Sequence, residues 1–581
     1  MKYLFAALSS GTGFDSIPYG LAYVTASLKR TGRSVSAIVL SGQKNPTEYL
    51  VRTIIDENID VLCIGDLSGN FRTVRVTLEA VRKACPRVKI VVGGGIITAE
   101  PEFVVHHLDM DVGCIGYGEE TICELADCFE NKTDLSEVKG LIYKNKDGDV
   151  VKTARRPEVE NLDDIPFPAL DMFGFGNGIN LELPIIGSRS CTHNCTFCFH
   201  PSGYKYRERS LYNIFKEIDY WMGKYGNNIS SVYLADELFG NDRVRVNDFC
   251  RRIKEYGLAF SIQIRVDVVD EELIRTLADS GCIGVSYGIE SMCQTVLDSM
   301  RKGITTEQIT NALKLTRKYN LRIIGNLIFG DRVETYEMAK ESLDWWYANI
   351  HYSIFLGNIR AYPGTVLYKY GIKTGRIKDK LKFYEDGCPT VNLSAMSKTE
   401  FAKLQRLITV SSSLLGEPVT NLRIENRDGG LLFYADCPNC DTTNCYDDLV
   451  ASFPDNYKAC KHCGSKINVA QNYEELLESQ SYFDDFDYAG KRIVVWGVTQ
   501  KAQMRLSMVE KLRESIVAVV DTAHQSFESD FMGFTVKSPA TLSETEFDTI
   551  YIGALTNTTR KKIVNAAKEI VGEEKEIMRM S

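Results

Sequence analysis

Residues 1–133 alternate short apolar runs with amphipathic helical stretches, and this alternation constrains the fold more than any other feature. The strand-like runs are KYLFAAL, SVSAIVL, VLCIG, KIVVGGG and DVGCIGYG, and helical patterns such as YGLAYVTASLKRTG and TVRVTLEAVRKA separate them. Strands that alternate with helices form parallel sheets that are covered on both faces. We therefore predict a doubly wound, Rossmann-type α/β domain over residues 1–134.

Two glycine-bearing loops should lie at the carboxyl edge of this sheet, where open α/β folds bind ligands. GTGFDSIPYG follows the first strand, and VVGGGIITAEPE, with Gly93, Gly94 and Gly95, follows the fourth. No G-x-G-x-x-G fingerprint opens the first helix, so glycines that serve only as turns remain an equal alternative to a binding loop. Residues 135–180 form a connector, in which KDGD indicates a hairpin and DDIPFPALD an extended linker.

Three cysteines, Cys191, Cys195 and Cys198, follow the apolar stretch LPIIGS in the run CTHNCTFC. The spacing C-x3-C-x2-C supplies three thiolates to a four-iron cluster and leaves one iron free to bind a substrate or cofactor. The alternative is three unrelated buried thiols, although the Thr-, His- and Asn-rich run is typical of a loop. His193 and His200 accompany the cysteines, and the sequence assigns neither of them a role.

Six strand-like runs surround and follow the cysteines, namely PIIGS, SSVYLA, AFSIQI, CIGVSYG, LRIIGNLIF and SIFLGNI, with helical segments between them. Six βα units predict a partial barrel over residues 181–395, with its active residues at the carboxyl ends of the strands. The polar residues at those ends are Asp236, Glu237, Arg265, Glu290 and Asp331. Taken singly, each is better explained as a solvated loop charge, and only their shared placement favours a site.

A second cysteine set comprises Cys437 and Cys440 in CPNC and Cys460 and Cys463 in CKHC. This two-knuckle spacing predicts a tetrahedral thiolate site in a small zinc-ribbon-like module over residues 431–472, after a helical connector over 396–430. Zinc is favoured, whereas a single iron and an auxiliary cluster, for which Cys445 is available, remain alternatives. Such a metal would stabilise a module that is too small to have its own core.

Residues 473–581 return to a β-α-β pattern with KRIVVWGVTQ, SIVAVVD and FDTIYIGAL, which predicts a second Rossmann-like domain. Asp521 ends the second of these strands, where an acidic residue can hold a ribose. WGVTQKAQ keeps only one glycine of the fingerprint, so a docking or substrate-presenting role is favoured over nucleotide binding. The segment bears a weak resemblance to Rossmann-like domains of surface-polysaccharide enzymes.

Composition narrows the class of protein further. The chain has 581 residues, a formal net charge of -9 and 17 cysteines, seven of which fall in the two groups above. The charge argues against a nucleic-acid surface, and no apolar run approaches the length of a membrane span. No small-residue cleavage site follows the first apolar patch, and dilute cysteines indicate reduced thiols, so we predict a cytoplasmic location.

CTHNCTFC resembles the signature of the radical S-adenosylmethionine (SAM) superfamily. In that family the open iron chelates the amino and carboxylate groups of SAM, and the reduced cluster cleaves SAM to a 5′-deoxyadenosyl radical. PYGLAYVTASLKRTG, VVGGGIITAEPE and CIGYGEETICEL, in this order, resemble the cobalamin-binding domain of the cobalamin-dependent subfamily. The resemblance covers about residues 1–390 and places Gly93, Gly94 and Gly95 near the corrin or its nucleotide tail. No D-x-H-x-x-G is present, so the resemblance implies cobalamin without a histidine ligand, or a domain that has lost it.

The same resemblance implies residues that contact SAM. Asp236 and Glu237 stand where a short motif meets the SAM amino group, although the paired glycines of the family are missing. Glu290 in YGIES matches a position near the ribose hydroxyls, and Lys302 in MRKGIT matches a basic residue near the SAM carboxylate. Phe197 would lie beside the adenine. Each of these assignments rests on the match to the family motif alone.

The activity implied by the resemblance is a cobalamin-dependent methyltransferase that acts on an unactivated carbon, with an external electron donor such as flavodoxin or ferredoxin. An oxygen-sensitive cluster would require a reducing, anaerobic setting. The alternatives are a radical SAM enzyme without cobalamin that catalyses a cyclisation, rearrangement or oxidation, and a non-catalytic iron-sulfur sensor or scaffold. No residue pattern selects among peptide, lipid, carbohydrate and small natural-product substrates.

Overall fold

The structure is a computed structural model. It describes residues 1–8, 17–176, 181–201, 203, 205–240, 242–319, 321–349, 352, 354–411, 420–427, 430–437, 441–446, 457–459, 466–468, 491–498, 515–522, 524, 531, 533–552, 557–572 and 576–579. The chain divides into two units, the first formed by Met1–Trp345 with Asn358–Ala395 and the second by Trp346–Gly357 with Met396–Ser581. No helix of the described ranges is long and apolar enough to cross a bilayer.

The first unit begins with a seven-stranded sheet. Its strands are β1 Lys2–Ala7, β2 Ser34–Val39, β3 Val61–Gly65, β4 Lys89–Gly93, β5 Val112–Cys114, β6 Leu141–Lys144 and β7 Val150–Lys152, in the order β2-β1-β3-β4-β5-β6-β7. β1 to β5 pair in parallel, whereas β6 and β7 are antiparallel. The predicted doubly wound fold is therefore confirmed, and the predicted connector hairpin extends its edge.

Six helices cover this sheet, and sheet and helices together are called the first domain. They are α1 Tyr19–Arg30, α2 Pro46–Asp56, α3 Phe71–Ala84, α4 Gly95–Ala99, α5 Pro101–Val104 and α6 Glu119–Asn131. Every residue of β1 after Lys2 is buried, as expected for a strand with helices on both faces.

The partial barrel follows within the same unit. Its strands are β8 Leu181–Ile185, β11 Ile229–Leu234, β12 Ala259–Gln263, β13 Cys282–Glu290 and β14 Arg322–Phe329, paired in parallel in that order. Two short antiparallel strands, β9 Ser188–Arg189 and β10 Arg207–Glu208, flank the cysteines. The next strand along the chain, β15 Phe355–Asn358, matches the sixth predicted run.

Helices connect the barrel strands and pack around them. They are α7 Leu211–Tyr225, α8 Arg243–Tyr256, α9 Glu271–Asp279, α10 Gln294–Ser299, α11 Thr306–Lys318, α12 Tyr336–Ala348, α13 Val366–Lys373 and α14 Lys380–Glu385. Local sequence sets their first turns. The Thr305 hydroxyl accepts a hydrogen bond from the Gln308 N–H while the Gln308 side chain accepts one from the Thr305 N–H, a capping box that begins α11.

One hydrophobic core joins the first domain to the barrel helices. It includes Leu4, Leu62 and Phe71 from the first domain and Met300 and Tyr384 from the barrel segment. The Phe71 and Tyr384 rings pack edge to face with centroids 5.2 Å apart. Because this core is continuous, the carboxyl edges of the two sheets are held in fixed relation.

The second unit holds the carboxyl-terminal elements. They are α15 Lys398–Ser411, β16 Thr420–Arg427, β17 Gly430–Asp436, β18 Thr443–Tyr446, β19 Tyr457–Ala459, β20 Lys466–Asn468, β21 Ile493–Trp496, β22 Ile516–Val520, β23 Val536–Lys537, β24 Thr549–Ile552, α16 Asn557–Val571 and β25 Glu576–Arg579. The last five strands form a parallel sheet in the order β23-β22-β21-β24-β25, the arrangement of a Rossmann-like domain.

Candidate active site

A cavity of about 510 Å³ in the first unit receives residues from both sheets. Ser68 follows β3 and Gly95 follows β4 of the first domain, while Glu237 follows β11 and Arg265 follows β12 of the barrel, and all four line the cavity. The carboxyl edges of the two sheets therefore border the same space, which is where ligands bind in both kinds of fold.

The loop between β9 and β10 brings all three cysteines of the first set, Cys191, Cys195 and Cys198, to this cavity. It is fastened to the barrel by backbone hydrogen bonds, since the Thr196 N–H donates to the Met300 carbonyl over 3.0 Å and the Leu367 N–H donates to the Thr196 carbonyl over 3.2 Å. We call residues 190–206 the cysteine loop.

The cysteine sulfurs differ in environment. Cys195 is buried, whereas Cys198 is exposed. A hydrogen bond from Cys198 together with the positive charge of Lys302 lowers the pKa of Cys195 to about 6, although burial opposes this shift. A lowered pKa favours the thiolate, which is the form that binds metal.

The donor set fits a four-iron cluster with one open iron. Three thiols reach the cavity from one loop, and the three protein ligands of such a cluster stand on three different irons. In the part of the chain that the structure describes, no three His, Cys, Asp or Glu side chains converge on a point that would hold a single metal ion.

The sequence also predicted Glu290 and Lys302 as site residues. Their side chains contact each other at the cavity wall. The Lys302 ammonium donates to Oε1 of Glu290 over 2.8 Å, and both side chains are largely buried. Burial works against the charge of Lys302, but the Glu290 carboxylate and the cysteine sulfurs raise the pKa of Lys302 above its ordinary value. Glu290 ends β13 with a φ of 66°, a left-handed conformation that turns the chain at this edge. Such strain is often found at functional sites.

Phe197 does not border the cavity directly. Its ring packs against the hydrophobic core, and its centroid lies 6.0 Å from Nζ of Lys302.

Asp236 and Glu237 are adjacent in sequence, but their side chains lie in different surroundings. The Asp236 carboxylate accepts a hydrogen bond of 2.6 Å from the Ser188 N–H and lies beneath the β8 to β9 turn. Burial raises the pKa of Asp236 from 3.8 to about 7, although the N–H groups of Ser188 and Gly187 stabilise its anion. Glu237 lines the cavity, and its Oε2 lies 3.5 Å from Nδ1 of His200.

Arg265 lines the cavity as well, and sequence reasoning named it without giving it a role. Its guanidinium pairs with Asp267 over 2.9 Å and donates to the backbone carbonyls of Lys302 and Gly303 over 3.1 and 3.2 Å. It thus fastens the turn that carries Lys302. Its position at the end of β12 is the sequence feature that points to it. Gln263, from the same strand, was missed, although it also lines the cavity.

Gly95 is the residue of the glycine loop of the first domain that lines the cavity. Gly94 has a φ of +85°, and a Cβ there would lie 2.7 Å from the Asp66 carbonyl oxygen. A Cβ on Gly95 would lie 2.8 Å from Cδ2 of Leu67 and 3.2 Å from the Phe199 ring. Gly93 has only ordinary contacts, with Cβ of Cys114 at 3.6 Å. The glycines at this edge therefore let Asp66, Leu67 and Phe199 pack closely against the backbone of the loop.

The predicted four-cysteine site is described at one position. Cys437 is buried, and its N–H donates to the Thr442 carbonyl over 3.1 Å. Cys440, Cys460 and Cys463 lie outside the described residues. In the carboxyl-terminal sheet, the Asp521 carboxylate accepts a hydrogen bond of 2.8 Å from the Val498 N–H.

Three stretches of the chain match known families. Residues 8–126 match the B12 binding domain, residues 185–345 match the radical SAM superfamily, and residues 489–578 match the C2185-like amino-terminal domain. The first two stretches contain the walls of the cavity that carry the glycine loop and the cysteine loop.

Curated and solved proteins agree with this domain pair. The chain is 27% identical over 417 residues to a protein named uncharacterized methyltransferase PH0819 from Pyrococcus horikoshii, covering 70% of this chain and 90% of that one. Its fold is similar to the radical SAM methyltransferase TsrM from Kitasatospora setae, solved with cobalamin and a [4Fe-4S] cluster, at 18% identity and a TM-score of 0.55 over 65% of this chain and 76% of that chain. Its fold is also similar to that of the cobalamin-dependent SAM radical enzyme OxsB, at 18% identity and a TM-score of 0.59. This match covers 71% of this chain and 68% of that chain.

Proposed function

Because residues 8–126 match the B12 binding domain and residues 185–345 match the radical SAM superfamily, we propose that the chain is a cobalamin-dependent radical SAM methyltransferase that acts on an unactivated carbon. The observation that carries this proposal is the single cavity bordered by the cysteine loop on one side and the glycine loop on the other. Such a cavity lets two cofactors approach one substrate. The methyltransferase name of the archaeal relative supports the same activity.

In this proposal Cys191, Cys195 and Cys198 hold the cluster, and the loop of Gly93, Gly94 and Gly95 borders the corrin. When bound, the cluster supplies the electron that cleaves SAM, and cobalamin supplies the carrier of the methyl group. The chain itself orients these groups and keeps water away from them.

The SAM-binding wall is assigned to the charged residues at the ends of the barrel strands. Glu237 faces the amino group of SAM, Glu290 its ribose hydroxyls and Lys302 its carboxylate, with Phe197 supporting the adenine side from the core. Asp236 does not contact SAM in this proposal. It accepts a hydrogen bond from the Ser188 N–H and so holds the turn that precedes the cysteine loop. The ion pair between Glu290 and Lys302 keeps both side chains ordered before SAM arrives.

Further features belong to the same proposal. The four-cysteine set holds zinc as a structural metal. The enzyme works in the reducing cytoplasm under anaerobic conditions and receives electrons from flavodoxin or ferredoxin.

Replacement of Cys195 tests the cluster assignment. Cys195→Ala should lose the four-iron cluster and with it the formation of 5′-deoxyadenosine from SAM, because only two thiolates remain. The matched control is Cys250→Ala, which removes a buried thiol from α8 and should keep both. Iron content and 5′-deoxyadenosine are measured on oxygen-free, dithionite-reduced protein. A Cys195→Ala variant that still cleaves SAM at the wild-type rate contradicts the assignment.

Reconstitution with and without hydroxocobalamin tests the second cofactor. The proposal predicts a corrin absorption band that stays with the protein through gel filtration. If SAM is cleaved and no corrin is retained, the enzyme is instead a radical SAM catalyst of cyclisation, rearrangement or oxidation. If SAM is not cleaved at all, the protein is an iron-sulfur sensor or scaffold.

A further inference from the structure

The cysteine loop leaves the barrel through a stem of two short strands. β9 and β10 pair antiparallel, with Arg189 directly opposite Arg207 and Ser188 opposite Glu208. Two arginines side by side on a ladder repel each other unless anions compensate them. Both are buried or nearly so, and their anionic partners, Glu119 and Glu158, come from outside the stem.

Arg189 is compensated by the first domain. Its guanidinium forms an ion pair of 2.5 Å with Glu119, the first residue of α6, and the Glu119 side chain is only 9% exposed. The same guanidinium lies 5.3 Å from the Tyr23 ring centroid and 5.5 Å from that of Tyr117. Cations over aromatic faces are stabilised further when they are desolvated.

Arg207 contacts the same tyrosine. Its guanidinium lies 5.1 Å from the Tyr117 ring centroid and donates a hydrogen bond to the Tyr117 hydroxyl. It also donates to the Val159 carbonyl over 2.7 Å and pairs with Glu158 over 3.3 Å. Tyr117 is thus shared between the two arginines and lies in the turn between β5 and α6.

The loop meets the first domain a second time, at the cavity. The Phe199 ring lies between Gly95 of the first domain and Gly364 of the barrel segment, where added Cβ atoms would come within 3.2 and 2.6 Å of it. Phe199 directly follows Cys198. The first domain therefore contacts the loop at its stem and beside its last cysteine.

We propose that Tyr117 and Glu119 are positioning residues of the radical SAM site, which act through Arg189 and Arg207 to set the conformation of the cysteine loop. These four residues are called the latch. The proposal rests on the proposed function in one respect, namely that the cysteine loop holds the cluster. It makes the first domain a structural determinant of the cluster as well as a cofactor carrier. Removing the Glu119 charge leaves Arg189 buried without its carboxylate, and the stem then rearranges to reach water.

Thiol reactivity in metal-free protein tests the latch without any cofactor. Glu119→Gln should raise the rate of iodoacetamide alkylation at Cys195, measured by peptide mass spectrometry, by about tenfold as the loop opens. The control is Glu130→Gln, which removes a carboxylate that pairs with Arg33 at the other end of the same helix. That variant should alkylate Cys195 at the wild-type rate. Equal rates in the two variants overturn the proposal.

A milder variant covers the case in which Glu119→Gln fails to fold, as shown by its far-UV spectrum and unfolding midpoint. Tyr117→Phe keeps the ring and removes only the hydroxyl that accepts from Arg207, and it should raise the same rate by about threefold. Glu119→Asp keeps the charge and should return the rate most of the way to the wild-type value. A wild-type rate in a folded Tyr117→Phe protein, or no recovery in Glu119→Asp, also contradicts the latch.

The reconstituted cluster gives a readout on the loaded protein. SAM added to the reduced wild type should shift the electron paramagnetic resonance spectrum of the cluster, and Glu119→Gln should weaken this shift while iron content is retained. A wild type that holds no cluster would refute the proposed function alone, because the alkylation rates decide the latch independently. A shift that is the same in Glu119→Gln and Glu130→Gln, at equal iron content, rejects a positioning role.

Discussion

At the scale of single residues, Gly94 leaves no room for a side chain. Gly94 and Gly42 both have a positive φ, at +85° and +84°, but a Cβ on Gly94 would lie 2.7 Å from the Asp66 carbonyl oxygen whereas a Cβ on Gly42 meets nothing within 4 Å. Gly42→Ala should therefore cost only the backbone strain, about 1 kcal/mol. Gly94→Ala should cost about 2 kcal/mol more and abolish corrin binding. Urea unfolding and corrin absorbance measure the two effects.

The comparison of the two glycines separates the effect of the clash at Gly94 from the backbone strain that both substitutions cause. If both variants lose equal stability and both retain corrin, the Gly94 loop is an ordinary turn and does not form the cobalamin wall.

Asp236 gives a prediction about pH. Its pKa in the folded protein is raised to about 7 from 3.8, so between these values the folded state holds a proton that the unfolded state has released. Its contribution to stability is therefore complete below about pH 4 and is lost as the pH rises towards 7. Asp236→Asn removes the titration. As the pH rises from 5 to 8, the wild type should lose about 2 to 3 kcal/mol of unfolding free energy relative to the variant.

The measurement is urea unfolding of both proteins at pH 5, 6.5 and 8. A difference between the two proteins that does not change with pH would show that Asp236 titrates normally.

The same residue shows how far sequence reasoning reaches at this scale. The pair of Asp236 and Glu237 was predicted from its place after a strand, and the structure turns only Glu237 to the cavity. The Gly187 and Ser188 N–H groups hold Asp236 away from the cavity, and they come from the β8 to β9 turn, which is distant from Asp236 in sequence.

At the scale of elements, Glu100 connects the glycine loop to the last helices of the barrel segment. It follows α4 and accepts hydrogen bonds from the hydroxyls of Tyr368 and Tyr384 over 2.7 and 2.8 Å and from the Lys380 ammonium over 2.6 Å. α4 begins at Gly95, so this cluster of polar contacts fixes the helix that borders the cavity. Glu100→Ala should cost about 2 kcal/mol or more, because two largely buried hydroxyls lose their acceptor.

Glu102→Ala is the control for Glu100→Ala. Glu102 pairs with Lys152, and both side chains are about half exposed, at 61% and 49%. Exposed ion pairs contribute little, so this variant should lose less than about 1 kcal/mol. Equal losses, measured by denaturant unfolding, would mean that Glu100 does not hold the two parts of the unit together.

Most elements of the first unit could be predicted from local patterns. The five parallel strands of the first domain and the six runs of the barrel were each predicted from apolar runs bounded by turns, and the structure contains them. The connector hairpin was also predicted, but its pairing with β5 was not. Pairing partners are set by long-range packing, which a local pattern does not contain. The β9 and β10 stem could not be predicted either, because a strand of two residues is too short to show an alternation of apolar and polar side chains.

At the scale of the whole molecule, the cavity is a product of two sheets that meet. Each sheet has its ligand edge at the carboxyl ends of its strands. The shared hydrophobic core, which includes the contact between Phe71 and Tyr384, holds the first domain against the barrel helices so that both edges border the cavity. Sequence patterns located each edge separately, and the family resemblance alone suggested that they cooperate. The latch and Glu100 are the contacts that make this arrangement specific, and they join residues 70 to 284 positions apart.

The central claim is that one cavity holds a three-cysteine cluster beside a corrin. Its most direct test is the quantification of iron, sulfide, corrin and zinc in one oxygen-free preparation of the full chain. We predict about four irons with matching sulfide and about one corrin per chain, in addition to one zinc, with an electron paramagnetic resonance spectrum that SAM perturbs. Protein that carries no cluster, or one whose spectrum does not respond to SAM because all four irons have protein ligands, would contradict the account.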